Sequence, residues 1–253
     1  MPWHGRGSAI LRLMKISLFI PCFIDQCHPR VGISVVQILR RLGHVVDYPV
    51  AQTCCGQPAF NSGAWEQARE VARHTLEVFR DAEIVCIPSG SCGAMLKVFY
   101  RELFKDEPEY EEACALGEKT WEFASLLVNK LGVTDVGAEL NAAATFHDGC
   151  HGLRELGVRS EPRALLAKVR GLRLVEMASA ETCCGFGGTF AVKFPMISTA
   201  MGEAKCAAAA ETGADCVISL DSSCLMHLQG LLDRQGSRMR CLHLAEVLAN
   251  NAA

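Results

Sequence analysis

The triplet Cys-Cys-Gly occurs twice in this chain, at residues 54–56 and 183–185, and it strongly constrains the fold. With 14 cysteines and 22 glycines in 253 residues, about 0.07 such triplets are expected by chance. Each pair has one cysteine upstream, after 31 or 32 intervening residues, and one downstream, after 36 or 39. The sequence therefore predicts an internal duplication with two cysteine quartets. The quartets are Cys22, Cys54, Cys55 and Cys92, and Cys150, Cys183, Cys184 and Cys224.

Each repeat alternates apolar, strand-like segments with amphipathic, helix-like segments. In the first repeat, these segments are residues 16–21, 29–43, 44–50, 64–81 and 83–88. In the second repeat, they are residues 144–149, 161–169, 173–178, 197–213 and 215–220. This alternation is typical of parallel sheets connected by right-handed helical crossovers. We predict an α/β fold of two duplicated Rossmann/flavodoxin-like units, each a mostly parallel sheet flanked by helices.

The repeat pattern also predicts the domain boundaries. Residues 1–13 precede the first strand, and we expect them to be a disordered extension. The first repeat then spans residues 14–135, and the second spans residues 136–253. The acidic stretch at residues 105–119 has no counterpart in the second repeat. We expect it to be a solvated insertion, and a surface for docking a partner is the alternative.

The position of the cysteines predicts a shared site in each repeat. All eight follow strand-like segments, and ligands of open α/β sheets bind beyond the carboxyl ends of the strands. Four thiolates suit either a structural zinc ion or an iron–sulfur cluster. Adjacent cysteines reach a single zinc ion poorly, whereas a cluster offers several iron atoms. We therefore predict an iron–sulfur cluster, [4Fe-4S] in type, in each repeat, and zinc in one or both sites is the alternative.

Several other residues are candidates for an additional ligand or a hydrogen bond to the centre. Cys27 follows Cys22 by five residues, His147 and His151 flank Cys150, and His227 follows Cys224 by about one helical turn. The alternative for the two histidines beside Cys150 is that they cap the following helix. We expect the remaining cysteines to be core residues, namely Cys86, Cys114, Cys206, Cys216 and Cys241.

Charge and hydropathy exclude several classes of function. The formal net charge is −3 and the basic residues are scattered, so we expect no binding to nucleic acid. No apolar run approaches the roughly 18 residues of a transmembrane helix. The N-terminus shows no cleavage site of a secretory signal, and we predict a cytoplasmic protein. A reducing cytosol disfavours structural disulfides, which supports a metal-binding or redox role for the cysteines.

The motifs around the quartets resemble those of a known family. The segments "TCCGQPAFNSG", "PSGSCGAML", "HDGCHGLRELG" and "TCCGFGGTFAVK" look like the cysteine-rich CCG-domain family, which includes a component of heterodisulfide reductase and the iron–sulfur component of glycolate oxidase. The likeness is closer to the (Fe-S)-binding lactate-utilization members. It implies an electron-transfer subunit of a cytoplasmic complex that oxidises L-lactate to pyruvate. It also implies two partner proteins, one of them ferredoxin-like, so we expect no activity on lactate from this chain alone.

The chain departs from the full family motif at one position in each repeat. The motif ends in CxxC, but the first cysteine of that pair is replaced here by Ser89 and by Asp221. Each site thus lacks a fifth thiolate, and Asp221 becomes a candidate ligand. Two alternatives stay open: a thiol- or disulfide-processing redox subunit of the heterodisulfide reductase type, and a zinc-holding scaffold for partner proteins.

Overall fold

The computed structural model describes residues 13–250 and contains two four-stranded sheets. The predicted extension over residues 1–13 lies outside this range except for Leu13. All strand pairs are parallel, and the strand orders are β2-β1-β3-β4 and β6-β5-β7-β8. The strands are β1 Lys15–Leu18, β2 Val45–Asp47, β3 Val85–Ile87, β4 Thr120–Glu122, β5 Glu139–His147, β6 Arg170–Leu174, β7 Cys216–Ser219 and β8 Arg240–His243. The predicted α/β fold with duplicated units is confirmed.

Helices connect the strands, and four of the eight quartet cysteines lie in their first turns. We call the part that contains β1–β4 the first unit and the part that contains β5–β8 the second unit. The helices of the first unit are α1 Cys22–Cys27, α2 Pro29–Arg41, α3 Gln57–Asn61, α4 Trp65–Val78, α5 Gly90–Ala94, π1 Met95–Phe99, α6 Tyr100–Leu103, α7 Tyr110–Lys119, α8 Phe123–Ser125 and π2 Leu126–Lys130. Those of the second unit are α9 Cys150–Arg154, α10 Ser160–Leu166, α11 Thr189–Lys193, α12 Pro195–Ala210, α13 Ser222–Arg234 and α14 Leu244–Ala249.

Helix α2 illustrates how the sequence specifies these elements. Pro29 occupies its first turn, where a missing backbone N–H costs nothing, and Gly43 follows its end with a φ of 87°. Between them, Val35 and Ile38 face the sheet and are fully buried. Burying each such side chain stabilises the fold by about 1.5–3 kcal/mol. The spacing of apolar residues therefore fixes which face of the helix covers the sheet.

The hydrophobic core joins the two units. One cluster of buried residues combines Ile16 and Leu18 of β1 with Phe146 of β5 and Ile218 of β7. Helix α14 of the second unit packs against α2 of the first. Each unit also has its own cluster on the side of its Cys-Cys-Gly loop. The shared cluster holds the carboxyl ends of both sheets in a fixed relationship.

Two predicted segments differ from the structure. The acidic stretch is not wholly solvated, because α7 buries Ala113 and Leu116 while its glutamates remain exposed. The predicted strand over 173–178 is displaced, since β6 spans Arg170–Leu174. Helix α7 leads directly into β4, so it belongs to the crossover between the third and fourth strands. No helix within residues 13–250 has both the length and the apolar composition of a bilayer-spanning segment.

Candidate metal centre

The eight cysteines of the two quartets lie at equivalent places in the two units. Cys22 and Cys150 begin the helices that follow β1 and β5, and Cys92 and Cys224 lie in the first turns of α5 and α13. The adjacent pairs occupy the loops before α3 and α11. Partial positive charge at a helix N-terminus favours a thiolate over a thiol. The predicted convergence at the carboxyl ends of the strands is therefore present in both units.

The first quartet forms two close sulfur contacts. Cys22 Sγ lies 3.8 Å from Cys54 Sγ, and Cys55 Sγ lies 3.4 Å from Cys92 Sγ. The Cys-Cys-Gly turn is required for this geometry, because Gly56 has a φ of 83°, which favours glycine. A Cβ there would lie 3.2 Å from the carbonyl oxygen of Ala68. The glycine therefore provides both the turn and the close packing against α4.

The second quartet repeats these contacts and adds a histidine. Cys150 lies close enough to Cys183, and Cys184 to Cys224, for the members of each pair to shift each other's pKa. The ring of His147, at the end of β5, lies beside Cys184 and Cys224, and the three ligand atoms are all within 4.8 Å of one another. Among residues 13–250, this is the single group of three His, Cys, Asp or Glu side chains with metal-ligand spacing.

The sulfur contacts determine which cysteines lose their protons most readily. The pKa of Cys54 lies far below its usual value because Cys22 and Cys55 donate hydrogen bonds to its sulfur. The pKa of Cys183 is lowered in the same way by Cys150 and Cys184. The donors Cys22 and Cys150 have raised pKa values for the converse reason, with burial adding to the effect. Each quartet therefore presents at least one ready thiolate to an incoming metal.

Both quartets line a single cavity of about 140 Å³ between the units. The backbones of α5 and α9 approach so closely that a Cβ on Gly90 would lie 2.7 Å from the Cα of Gly152. At the rim, the rings of Phe23 and Phe186 meet edge to face, with centroids 5.5 Å apart. The two sites that were predicted one per repeat thus face each other.

Ser89 and Asp221, the two positions that depart from the family motif, contact each other across the boundary between the units. Ser89 Oγ donates to Asp221 Oδ1 at 2.7 Å, and the backbone N–H of Ser91 donates to the same oxygen at 3.1 Å. Both side chains are buried, and Asp221 lines the cavity. The geometry shows a bridge between the first turns of α5 and α13. Asp221 therefore links the two units, in addition to being a candidate metal ligand.

The other predicted candidates fall in different places. His151 lines the cavity, and its ring lies edge to face against Phe99 with centroids 5.7 Å apart. Cys27 is exposed at the end of α1 and does not line the cavity. His227 also lies outside the lining, and its Nε2 is 3.3 Å from the carbonyl oxygen of Ser198. The strand residues Cys86 and Cys216 are fully buried, as predicted for core positions.

Sequence reasoning missed two polar residues that support the loops beneath the quartets. Tyr100 is fully buried, and its hydroxyl donates to the backbone oxygen of Cys55 at 2.9 Å. Lys205 is 2% exposed, and its Nζ donates to the backbone oxygens of Ser179 and Ala180. The single lysine within the alanine-rich helix α12 was the available clue. Such a residue is buried only when its ammonium finds acceptors.

Comparison with known proteins agrees with this architecture. The family model of the cysteine-rich CCG domain matches residues 16–97 and 144–229, and each match contains one quartet. The chain therefore belongs to the cysteine-rich CCG-domain family. Relatives named Lactate utilization protein A 1, from Bacillus cereus, and Lactate utilization protein A, from Bacillus cytotoxicus, are each 45% identical over 236 residues, covering 93% of this chain and 98% of the relative. Within its class, the chain thus belongs to the lactate utilization protein A family.

Similarity to solved structures is weak. An aspartate racemase homologue from Pyrococcus horikoshii OT3 covers 93% of this chain and 95% of its own, at 12% identity and a TM-score of 0.34. Likeness at this level carries no argument about fold or function.

The residues of the two quartets fit a multi-metal cofactor. Adjacent cysteines in one turn point to different partners, since Cys54 contacts Cys22 while Cys55 contacts Cys92. One small ion uses ligands that converge on one point, whereas a cluster uses ligands spread over several metal atoms. A metal site also accounts for the buried nitrogens of His147, which have no hydrogen-bond partner among the described residues. Clustered cysteines of this kind are suited to metal or iron–sulfur binding.

Proposed function

We propose that this protein acts in lactate utilization as the iron–sulfur electron-transfer subunit of a complex that oxidises L-lactate to pyruvate. Relatives that are 45% identical over 93% of the chain carry the name Lactate utilization protein A, which supports the general role. The observation that carries the finer proposal is the pair of facing quartets in one cavity. Cysteine quartets are the usual ligands of [4Fe-4S] clusters.

The cavity supports a role in moving electrons rather than in binding lactate. Among the described residues that line it, there is no arginine or lysine to pair with the carboxylate of a hydroxy acid. The charged or titratable groups there are the cysteines, His151 and Asp221. Oxidation of lactate is therefore assigned to partner proteins, and we propose two, one of them ferredoxin-like. The complex would work in the cytoplasm.

The chain's own residues would hold and tune such a cofactor. The thiols occupy first turns of helices and tight turns, so their positions are set by the backbone rather than by flexible side chains. Burial of Cys55 and Cys184 places sulfur atoms away from water, and hydrogen bonds around them adjust the reduction potential of a cluster. When bound, a cluster would accept and release single electrons.

A second function, processing of thiols or disulfides, is favoured by one observation. The cavity has room for a small substrate group between the quartets, and the rings of Phe23 and Phe186 at its rim offer it apolar contacts. The discriminating measurement adds a small disulfide and follows its reduction by the chemically reduced protein. Stoichiometric appearance of thiol would favour this function, whereas electron transfer without thiol formation favours the electron-transfer role.

The experiment that tests the proposal is anaerobic purification followed by iron, zinc and acid-labile sulfide analysis, with EPR before and after reduction. We expect iron and sulfide in both units. Cys54→Ser and Cys183→Ser should each remove the centre of one unit and leave the other. Cys114→Ser, on α7 and outside both quartets, is the matched control and should keep the full content.

Two outcomes would contradict the assignment. Zinc without sulfide would exclude iron–sulfur chemistry and favour the zinc-holding scaffold. Full metal content in both serine variants would show that the quartets are not the ligands. A loss in Cys114→Ser equal to that in Cys54→Ser would indicate that the assay reports general unfolding, and circular dichroism of each variant checks this directly.

A further inference from the structure

His147 is the most conspicuous unsatisfied side chain near the quartets. It is fully buried, and neither ring nitrogen has hydrogen-bond geometry with a described group. Its ring nevertheless lies beside the sulfur atoms of Cys184 and Cys224. Leaving a buried donor or acceptor unsatisfied costs about 1–3 kcal/mol. A ligand that uses a ring nitrogen would remove that cost.

The backbone holds this ring in place beside two sulfur atoms. Ser219 Oγ donates to the carbonyl oxygen of His147 at 2.9 Å, which fixes the end of β5 to the neighbouring strand β7. From there, an imidazole nitrogen and the sulfur atoms of Cys184 and Cys224 lie within 4.8 Å of one another. Nitrogen and thiolate ligands combine readily at both zinc and iron centres.

The first unit provides an internal comparison. His147 lies three residues before Cys150, and the residue three before Cys22 is Phe19. Phe19 is also fully buried, and its ring packs against Phe79 with centroids 5.7 Å apart. A phenyl ring cannot ligate a metal. Both units therefore have four cysteines. At the position three residues before the first cysteine, only the second unit has a side chain that can donate nitrogen to a metal.

We propose that His147 is a nitrogen ligand of the metal centre in the second unit, so that this centre has mixed nitrogen and sulfur ligation while the first is held by thiolates. This inference rests on the proposed function, in which the second quartet holds a metal. A neutral imidazole adds no negative charge, and histidine ligation raises the reduction potential of iron–sulfur centres. The second centre is therefore expected to be reduced in preference to the first.

The test compares the purified full-length protein with His147→Phe, which gives the second unit the residue type of the first. Pulsed EPR of ¹⁵N-histidine-labelled protein should show strong nitrogen coupling that His147→Phe abolishes. If analysis finds zinc instead, X-ray absorption at the zinc edge should show the imidazole scattering of one histidine. His151→Ala is the matched control, since His151 lines the same cavity beside Cys150 but should leave the nitrogen signature unchanged.

The outcomes separate this inference from the proposed function. A protein that binds metal but shows no histidine nitrogen coupling overturns the role of His147 and leaves the proposed function intact. Absence of metal from the second quartet overturns both. If His147→Phe does not fold, the wild-type spectrum decides the question, and His147→Cys serves as a variant that keeps a ligand but removes the nitrogen. An unchanged midpoint potential in folded, metal-loaded His147→Phe would also contradict the inference.

Discussion

The two units share strand order and cysteine spacing but differ in the side chains beneath their cysteines. In the first unit, Phe19 and the neutral hydroxyl of Tyr100 lie under the quartet. In the second, the corresponding layer contains His147 and Lys205. Burial lowers the pKa of Lys205, and the nearby cysteines of the quartet oppose that shift. The second quartet therefore has an imidazole ring and a lysine side chain beneath it, where the first has a phenyl ring and a phenol.

This difference teaches that a duplication can conserve ligands while its two sites acquire different properties. Histidine ligation raises the reduction potential of an iron–sulfur centre. Two centres with identical surroundings would share an electron equally. Under the proposed electron-transfer role, a nitrogen ligand in the second unit alone would give electron transfer a direction, from the first centre to the second.

The largest effect on stability is expected at the glycines of the two Cys-Cys-Gly turns. Both Gly56 and Gly185 have a φ that disfavours other residues, 83° and 90° respectively. At Gly185, a Cβ would also lie 2.5 Å from the backbone oxygen of Ser198, against 3.2 Å from that of Ala68 at Gly56. We expect Gly56→Ala to cost about 1–2 kcal/mol from backbone strain. Gly185→Ala should cost about 2–5 kcal/mol, because overpacking adds to the strain.

Urea unfolding of the anaerobic protein, followed by circular dichroism, measures both costs. Gly63→Ala is a useful control, because Gly63 has a φ of 80° but a Cβ there would contact nothing within 4 Å. The destabilisation caused by Gly63→Ala should therefore equal that expected from backbone strain alone, about 1–2 kcal/mol. Equal destabilisation by Gly56→Ala and Gly185→Ala would contradict the proposed difference in packing between the two turns.

The next effect concerns Glu122 and His243, which occupy equivalent positions at the ends of β4 and β8 and precede helices α8 and α14. Burial raises the pKa of Glu122 to about 8, and burial lowers the pKa of His243. The folded state therefore favours the neutral form of both. For Glu122, the stability present below pH 4.5 decreases as the pH rises toward 8. For His243, stability present above pH 6.5 is lost as the pH falls.

Glu122→Gln should remove the pH dependence of stability that comes from Glu122. The variant retains an oxygen that accepts from the N–H groups of Ala124 and Ser125. We expect the variant to match the wild type near pH 4.5 and to be more stable by about 3 kcal/mol at pH 7. His243→Asn should diverge from the wild type in the opposite range, below pH 6.5. Urea unfolding at pH 5, 6, 7 and 8 measures this, and parallel profiles for Glu122→Gln and the wild type would refute it.

Much of the fold could be predicted from the sequence, because the two repeats align with each other on their cysteines. The strand after each helix and the cysteine after each strand follow from apolar periodicity and from the geometry of parallel sheets. Helix α7 was missed because Glu111 and Glu112 dominate its composition, although Ala113 and Leu116 on its other face are buried. Tertiary packing, not local charge, decides whether such a segment is ordered.

The shared cavity could not be predicted, because it depends on contacts between the units. The close approach of Gly90 and Gly152 brings α5 against α9, and no sequence pattern relates these glycines, which come from different places in the repeat. His147 was a candidate from its neighbourhood in sequence. Its burial and its unsatisfied nitrogens became visible only when Cys184 and Cys224 were placed beside it.

The smallest effect, and the most direct test of how the units are joined, is expected at Ser89. Ser89→Ala removes one of the two hydrogen bonds to Asp221 Oδ1 and leaves the N–H of Ser91 as the remaining donor to that oxygen. It also removes the oxygen that accepts from the N–H of Cys92 at the start of α5. A hydrogen bond to a charged group contributes about 1.5–3 kcal/mol to stability. Because the N–H of Ser91 still donates to Asp221, we expect the free energy of unfolding to fall by about 1.5 kcal/mol, the lower end of that range. Urea unfolding measures it, with Ser62→Ala as the control, because Ser62 makes an exposed contact of 3.4 Å to Thr189 across the same boundary. Stability equal to that of Ser62→Ala would show that the Ser89–Asp221 contact does not hold the units together. A loss in Ser89→Ala that exceeds the roughly 1 kcal/mol expected for its N-cap of α5 would instead support the Ser89–Asp221 contact as the bridge that keeps the two quartets face to face.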